Sequence, residues 1–366
     1  MRRLEISCMR RPLSIALIVI ALAQAGCAAR KPPESSAAGP SAPAPAVHAE
    51  TAPPKPPAIV VAPFAIARGF DGAMWFTEFR ASRIGRITLD GAVTTFNVGA
   101  ALPERIVSGP DQALWFTDPA GNRIGRLDPS GAYTYVPLRA PAAGPASITL
   151  GRDGNLWFTE HAANRIGRLT PLGTLTEYVL PHPGGPAGLA SGPDGNIYFA
   201  ENQSNRIDRM AADGRIDEFP LPHPDSRPNS IIAAADHNLW FTELAANRVG
   251  RLNPNGRLSE FTLPASLTPF DIAAASDGKV WITAPRAHAV CAILPDGRVD
   301  TIYLADTVFP GFIAAGPDNN LWFTEPTGKI GRLTPAGILT EFPLAPAESS
   351  AAEARGPRHD LLIGPH

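Results

Sequence analysis

The sequence predicts an all-β chain folded as a seven-bladed β-propeller of four-stranded antiparallel blades. A landmark aromatic recurs at Trp75, Trp115, Trp157, Tyr198, Trp240, Trp281 and Trp322, at spacings of 40, 42, 41, 42, 41 and 41 residues. Such a period is the signature of a radially repeated unit. The same turn punctuation surrounds each landmark. Forty prolines and 33 glycines in 366 residues suit short strands and frequent turns and exclude a helical reading.

Residues 1–26 read as an export signal. Arg2, Arg3, Arg10 and Arg11 precede the apolar run Leu13 to Leu22, which is followed by small residues. That run is too short to span a bilayer. Ala23-Gln24-Ala25 fits an ordinary cleavage site, whereas Ala25-Gly26-Cys27-Ala28 looks like a bacterial lipobox, departing from it at Gln24. Lipidation at Cys27 is the favoured reading, because a cysteine stands where the lipid would be attached. Residues 27–58, rich in Ala, Pro and Ser, read as an extended tether. Export as a periplasmic or outer-membrane-anchored lipoprotein is therefore expected, with membrane contact only through the lipid. Cys8, Cys27 and Cys291 are the three cysteines. Loss of Cys8 and acylation of Cys27 would leave Cys291 unpaired, so the fold must hold through its core.

The propeller occupies 59–345. In blade one, strand A holds Ile66, strand B holds Trp75 and Phe76, strand C holds Ile84 and Ile87, and strand D runs from Val93 to Val98. A Pro and an apolar pair open each unit and a turn like Gly192 to Gly195 separates strands A and B. Phe-Thr-Glu follows the landmark, then Asn-Arg-Ile-Gly-Arg-Leu, a Pro-x-Gly turn and Thr-Glu-Phe-x-Leu-Pro. The seventh unit runs through its own Thr340 to Leu344, so each blade can be sequence-contiguous. Ile59 to Val61 could instead add an edge strand, and ring closure stays open. Residues 346–366 read as a flexible tail.

Four arginines and one glutamate leave with residues 1–26, so the remaining chain carries 28 basic and 33 acidic residues, a net charge of −5. Nothing resembles the basic stripe of a nucleic-acid binder. A monomer with a small-molecule or peptide ligand is expected.

Strand alternation places the D–A connections and B–C turns on one face of the disc. The start of strand A and the acid ending strand B meet there, around the opening of the central channel. The acidic position reads Glu78, Asp118, Glu160, Glu201, Glu243, Ala284 and Glu325. Carboxylates are the ligands hard cations prefer, which makes Glu160 and Glu243 metal candidates. The architectural alternative pairs each acid with the arginine five residues on: Arg83, Arg123, Arg165, Arg206 or Arg248.

The first two positions of strand A break the repeat: Phe64-Ala65, Glu104-Arg105, Ala146-Ser147, Ala187-Gly188, Asn229-Ser230, Phe270-Asp271 and Gly311-Phe312. Glu104, Arg105, Asn229, Phe270 and Asp271 are the candidate ligand contacts, through stacking and polar bonds. His161, His182, His223 and His288 fall on the same face. Blade six is the most degenerate, with Ala284, His288, Ala289, Cys291 and Ala292 at motif positions.

Through Leu-Trp-Phe-Thr-Glu, Asn-Arg-Ile-Gly-Arg-Leu and Thr-Glu-Phe-x-Leu-Pro, repeated across residues 60–345, the chain resembles the virginiamycin B lyase (streptogramin lyase) family. The resemblance implies a seven-bladed propeller. It also implies a magnesium-assisted carbon–oxygen lyase that linearises a cyclic depsipeptide by elimination across an ester. In that chemistry a histidine at the second residue of a Pro-His-Gly-Ile strand A takes the proton beside a carbonyl polarised by the cation. A glutamate stands two residues before it, a neighbouring blade carries a second histidine, and a strand-B glutamate joins the metal. The histidine positions here are Phe64, Glu104, Ala146, Ala187, Asn229, Phe270 and Gly311. Two residues earlier stand Ala62, Leu102, Gly144, Gly185, Arg227, Thr268 and Phe309, without an acid. A propeller that binds a ligand without the lyase reaction is the first expectation. The alternative is a divergent lyase with His182 or His223 as base and magnesium on Glu160 or Glu243. A calcium-dependent lactonase, wanting convergent Glu, Asn and Asp ligands, stands third, because Glu104, Asn229 and Asp271 are scattered over three blades.

Overall fold

The computed structural model describes residues 61–264, 267–294 and 296–346. The export segment, the tether with Cys27 and the tail from residue 347 lie outside the described residues. Seven antiparallel sheets form, each from four strands consecutive in the chain. Blade one comprises Pro63–Arg68, Met74–Glu78, Arg83–Ile87 and Val93–Asn97, strands A to D. The other six begin with strand A at Ile106–Ser108, Pro145–Leu150, Pro186–Ser191, Pro228–Ala233, Ile272–Ala274 and Ile313–Ala315. Among the described residues no helix is long and apolar enough to cross a membrane.

Strand B is buried along its whole length in every blade. Its alternation aims successive side chains at opposite neighbours. Trp75 packs with Leu114 and Phe116 of blade two, while Met74 and Phe76 pack with Trp322 and Ile330 of blade seven. Six of the seven blades thus insert an aromatic into both adjacent blades, which explains the aromatic pair of the repeat; blade six has Trp281 followed by Ile282. The strand-C glycine belongs to the same packing, because a Cβ on Gly85 would lie 2.1 Å from the Phe76 ring. Blade six replaces this glycine with Cys291, fully enclosed on strand C.

The Thr of Phe-Thr-Glu joins blade to blade. Strand A opens with a bulge, Pro63 opposite Glu78 and Ile66 opposite Phe76, so Phe64 and Ala65 together face Thr77. The Thr77 hydroxyl accepts from the Ala65 amide at 3.0 Å and donates to the Glu104 carbonyl of blade two at 2.7 Å. Thr159 and Thr324 repeat both bonds. Thr324 closes the ring, donating to the Phe64 carbonyl at 2.8 Å across 260 residues of chain. Arg332 adds a bond to the Leu89 carbonyl at 2.7 Å. Closure therefore rests on a contiguous seventh blade meeting the first. Blade four has Ala200 at the threonine position and lacks this brace.

On the opposite face the A–B turn aspartate accepts from the landmark indole. Asp71, Asp111, Asp153, Asp236 and Asp318 each hold the tryptophan four residues on at 3.0–3.1 Å. A strand-C arginine pairs with the same carboxylate in three blades, as Arg126 does with Asp111 at 2.7 Å. In blade six Ala292 stands at that arginine position, and the Trp281 indole N–H is buried without an acceptor.

Candidate functional site

The bulges at the start of strand A set the shape of the channel mouth. They leave two residues per blade outside regular pairing, and the second of these lines a cavity of about 430 Å³ on the axis. Blades one, three, four and five contribute Ala65, Ser147, Gly188 and Ser230, which are small; blades two and six contribute Arg105 and Asp271. One layer deeper a branched aliphatic from every blade, from Ile66 to Ile313, forms a continuous apolar belt.

Arg105 reaches from blade two toward Asp271 of blade six and Phe312 of blade seven. Its Nη1 stands 3.6 Å from Asp271 Oδ1, its Nη2 lies 3.4 Å from Ser230 Oγ, and its Cζ sits 3.9 Å from the Phe312 ring centroid. Asp271 is 5% exposed and is satisfied without the arginine. The Ser230 hydroxyl donates to one oxygen at 2.6 Å and the Ile313 amide to the other at 3.0 Å. Phe270 and Phe64 flank Phe312 with centroids at 4.9 and 4.7 Å, making an aromatic step beside the guanidinium.

Three of the five candidate contacts, Arg105, Phe270 and Asp271, therefore meet around Phe312 and Ser230. Asn229 is half-buried and donates to the Phe270 carbonyl at a long 3.5 Å. Glu104 stands beside Arg105 with a half-buried carboxyl that takes part in no hydrogen bond among the described residues. Burial pushes that carboxyl up to about 7, with Asp118 adding to the rise and Arg105 opposing it. Sequence reasoning missed Ser230 and Phe312. Both occupy the second bulge position, whose register was legible, but contact between blades two, five, six and seven depends on curvature that no local pattern encodes.

The strand-B acids are all fully enclosed, and their pairing divides by blade. Arg83 binds Glu78 at 2.5 Å, Arg123 binds Asp118 at 2.7 Å and Arg206 binds Glu201 at 2.5 Å, as the hairpin spacing predicts. In blades three and five the arginine turns away: Arg165 pairs with Glu177 at 3.3 Å and Arg248 with Glu260 at 3.7 Å. Strand D supplies the alternative partner. The residue opposite the strand-C glycine is Thr95 or Tyr135 in blades one and two but Glu177 or Glu260 in blades three and five. There a second carboxylate takes the cation, whereas in blade four Arg206 reaches Glu218 at 3.1 Å and keeps Glu201. Both oxygens of Glu160 and Glu243 are then left without a hydrogen bond, and burial raises each carboxyl to about 7.

These orphaned carboxylates were the metal candidates. Magnesium wants several oxygens in octahedral array, and Glu160 and Glu243 sit in blades separated by blade four. Among the described residues no three His, Cys, Asp or Glu side chains form a group able to hold a metal. The residues present do not fit the ion that the resemblance implies.

The Asn of Asn-Arg-Ile-Gly-Arg-Leu fixes the loops that carry the candidate bases. Asn164, at φ 54°, donates to the His182 carbonyl at 2.9 Å and accepts from the Gly184 amide at 3.0 Å. Asn205 does the same with His223 and Ser226, both at 2.7 Å. These clamps hold both backbones in place while the two residues stay exposed. The His223 ring Nδ1 lies 2.6 Å from Glu260 on strand D, the outermost strand. His161 and His288 bond through Nδ1 to the Pro186 and Val308 carbonyls.

Comparison with known proteins places this geometry. The virginiamycin B lyase family model matches residues 48–186 and 182–354. A streptogramin B lyase structure is 33% identical, covering 77% of this chain and 95% of its own, with a TM-score of 0.72. Virginiamycin B lyase from Staphylococcus aureus is 32% identical over 74% of this chain and 94% of its own, with a TM-score of 0.71. A catalytically inactive histidine-to-alanine variant of the Staphylococcus aureus enzyme, with quinupristin, is 32% identical over 75% of this chain and 94% of its own, with a TM-score of 0.71. A search of curated protein sequences gave no match. A family model spanning nearly the whole propeller, and relatives sharing a third of their residues over almost their full length, make this chain a member of the virginiamycin B lyase family.

Proposed function

We propose that this family member is an exported binding protein that holds a small-molecule or peptide ligand at the channel mouth without the lyase reaction. The observation that carries the reading is the mouth itself. Where the resemblance calls for histidine, the chain has Phe64, Glu104, Ala146, Ala187, Asn229, Phe270 and Gly311, yet the same strand starts build a cavity with an arginine and hydroxyls, the arginine backed by an aromatic step. Glu104, Arg105, Asn229, Phe270 and Asp271 are the assigned contacts. A cavity of this size, with convergent polar groups above a buried aliphatic belt, can take a small organic molecule. A crystallographic fragment screen tests it: hits collect at the mouth, and a mouth left empty while fragments gather elsewhere refutes it. For the tether, palmitate labelling lost in Cys27→Ser supports anchoring, and label retained in that variant refutes it.

One observation favours a second reading, a residual lyase. His223 bonds Glu260 beside the buried Glu243, so a candidate base is oriented by a carboxylate. Elimination across a ring ester cleaves the C–O bond, moves a proton to the base and leaves an acid and an alkene in one molecule. The product is an isomer of equal mass, so chromatography with tandem mass spectrometry must read it.

A further inference from the structure

We propose that the channel mouth binds an amphipathic monocarboxylate, its carboxylate on Arg105 and its aliphatic tail against the apolar belt. The inference rests on the channel-mouth reading and specifies its ligand.

The guanidinium is the accessible charge in the cavity. Its side chain is 23% exposed against 7% for Asp271, and it stands 3.6 Å from that partner, beyond hydrogen-bond reach. Asp271 already receives two hydrogen bonds, from Ser230 and Ile313. Arginine carries five N–H donors, and the one hydrogen bond its guanidinium makes among the described residues is the 3.4 Å contact to Ser230. Stacking on Phe312 holds the plane of the group while leaving its edge for a ligand. A planar fork with free donors is the complement of a carboxylate, which it binds bidentately.

The rest of the cavity selects the remainder of the ligand. Ser147 and Ser230 offer hydroxyls at the level of Arg105, and below them the aliphatic belt keeps 3–8% exposure. An apolar tail entering the channel would remove that edge from water. Asp271 nearby disfavours a dianion such as a phosphate monoester more than a monocarboxylate, because the guanidinium would then face three negative charges rather than two. A single negative charge with an apolar tail meets each of these conditions.

Calorimetry on the purified protein with octanoate, octanamide and acetate tests this. The expected result is octanoate binding, at least tenfold weaker binding of octanamide and acetate, and a loss of at least tenfold for octanoate in Arg105→Gln. Arg105→Lys keeps the charge and loses less. If Arg105→Gln fails to fold, the octanoate–octanamide difference on the unaltered protein and the Arg105→Lys response decide. No octanoate binding, or octanoate binding indifferent to Arg105→Gln, overturns the proposal. Equal affinities for octanoate and octanamide, both lost when Ser147→Phe fills the channel, overturn carboxylate recognition and leave the channel-mouth reading standing. Octanoate binding unchanged in Ser147→Phe overturns the assignment to the channel as well.

Discussion

Replacing Glu325 with glutamine should stabilise the propeller above pH 7 and change it little near pH 5. Glu325 ends strand B of blade seven, fully enclosed, and receives no hydrogen bond on either carboxylate oxygen. Its cross-strand partner Lys329 spends its ammonium on Glu341 at 2.7 Å. Burial, reinforced by the charge of Glu341 and opposed by Lys329, lifts the carboxyl from 4.5 to about 7. That displacement corresponds to a ceiling of about 3 kcal/mol. The sign follows from proton binding. The folded-state value is raised, so the contribution is full below pH 4.5, where both states are protonated. It is lost as pH climbs from 4.5 through about 7, where the unfolded chain has released its proton and the folded chain has not. Glutamine has the same shape and no proton to release. The variant should therefore lie within about 1 kcal/mol of the parent at pH 5 and exceed it by up to about 3 kcal/mol at pH 8.5, a Tm gain of several degrees. Guanidinium unfolding at pH 5, 6, 7 and 8.5 reads the difference. Parallel stability curves for the two proteins would refute the account of an uncompensated buried carboxyl.

Three further perturbations probe ring, brace and mouth. Thr324→Val removes the hydroxyl that closes blade seven on blade one and should cost about 1–3 kcal/mol; hydrogen exchange should accelerate around Pro63–Arg68, and unchanged protection there would argue against closure through this bond. Asp71→Ala deprives the Trp75 indole and Arg86 of their acceptor and should cost about 1–3 kcal/mol, whereas Asp277→Ala in blade six should cost far less because the Trp281 N–H already lacks a partner; equal Tm losses would contradict the contrast. Octanoate affinity should fall between pH 6 and 8, because Glu104, at about 7 between Arg105 and Asp118, gains a negative charge over that range; titrations with Glu104→Gln should lose the dependence, and a slope surviving that change would exclude Glu104 as its source.

Much of the scaffold could be read from the chain because it is repeated. Strand B, the A–B and C–D turns and the acid at the end of strand B recur at fixed offsets, and local alternation alone fixes which side each faces. Interactions that cross between strands were harder to see. Arg165 and Arg248 sit at the same offset as Arg83, yet they turn to a strand-D residue twelve positions on, Glu177 or Glu260, where Arg83 has Thr95, and Arg206, with Glu218 there, still holds Glu201. The strand-D Glu was a visible part of that signal, but blade four carries Glu218 and keeps the Arg206–Glu201 pair, so this residue alone does not settle the pairing. Thr77, Thr159 and Thr324 bridge blades through a bulge, and a bulge leaves no trace in hydrophobic alternation. The meeting of Arg105 with Asp271 and Phe312 is set by ring closure, which brings positions 166 and 207 residues apart to one cavity.

On the proposed function, this member of the family keeps the propeller and carries a binding site in place of the elimination site. Incubating the purified protein with quinupristin and magnesium, then separating the products by chromatography with tandem mass spectrometry, tests that claim most directly. The account predicts that the macrocycle is recovered intact. Appearance of the ring-opened isomer, absent from a protein-free control, would contradict it.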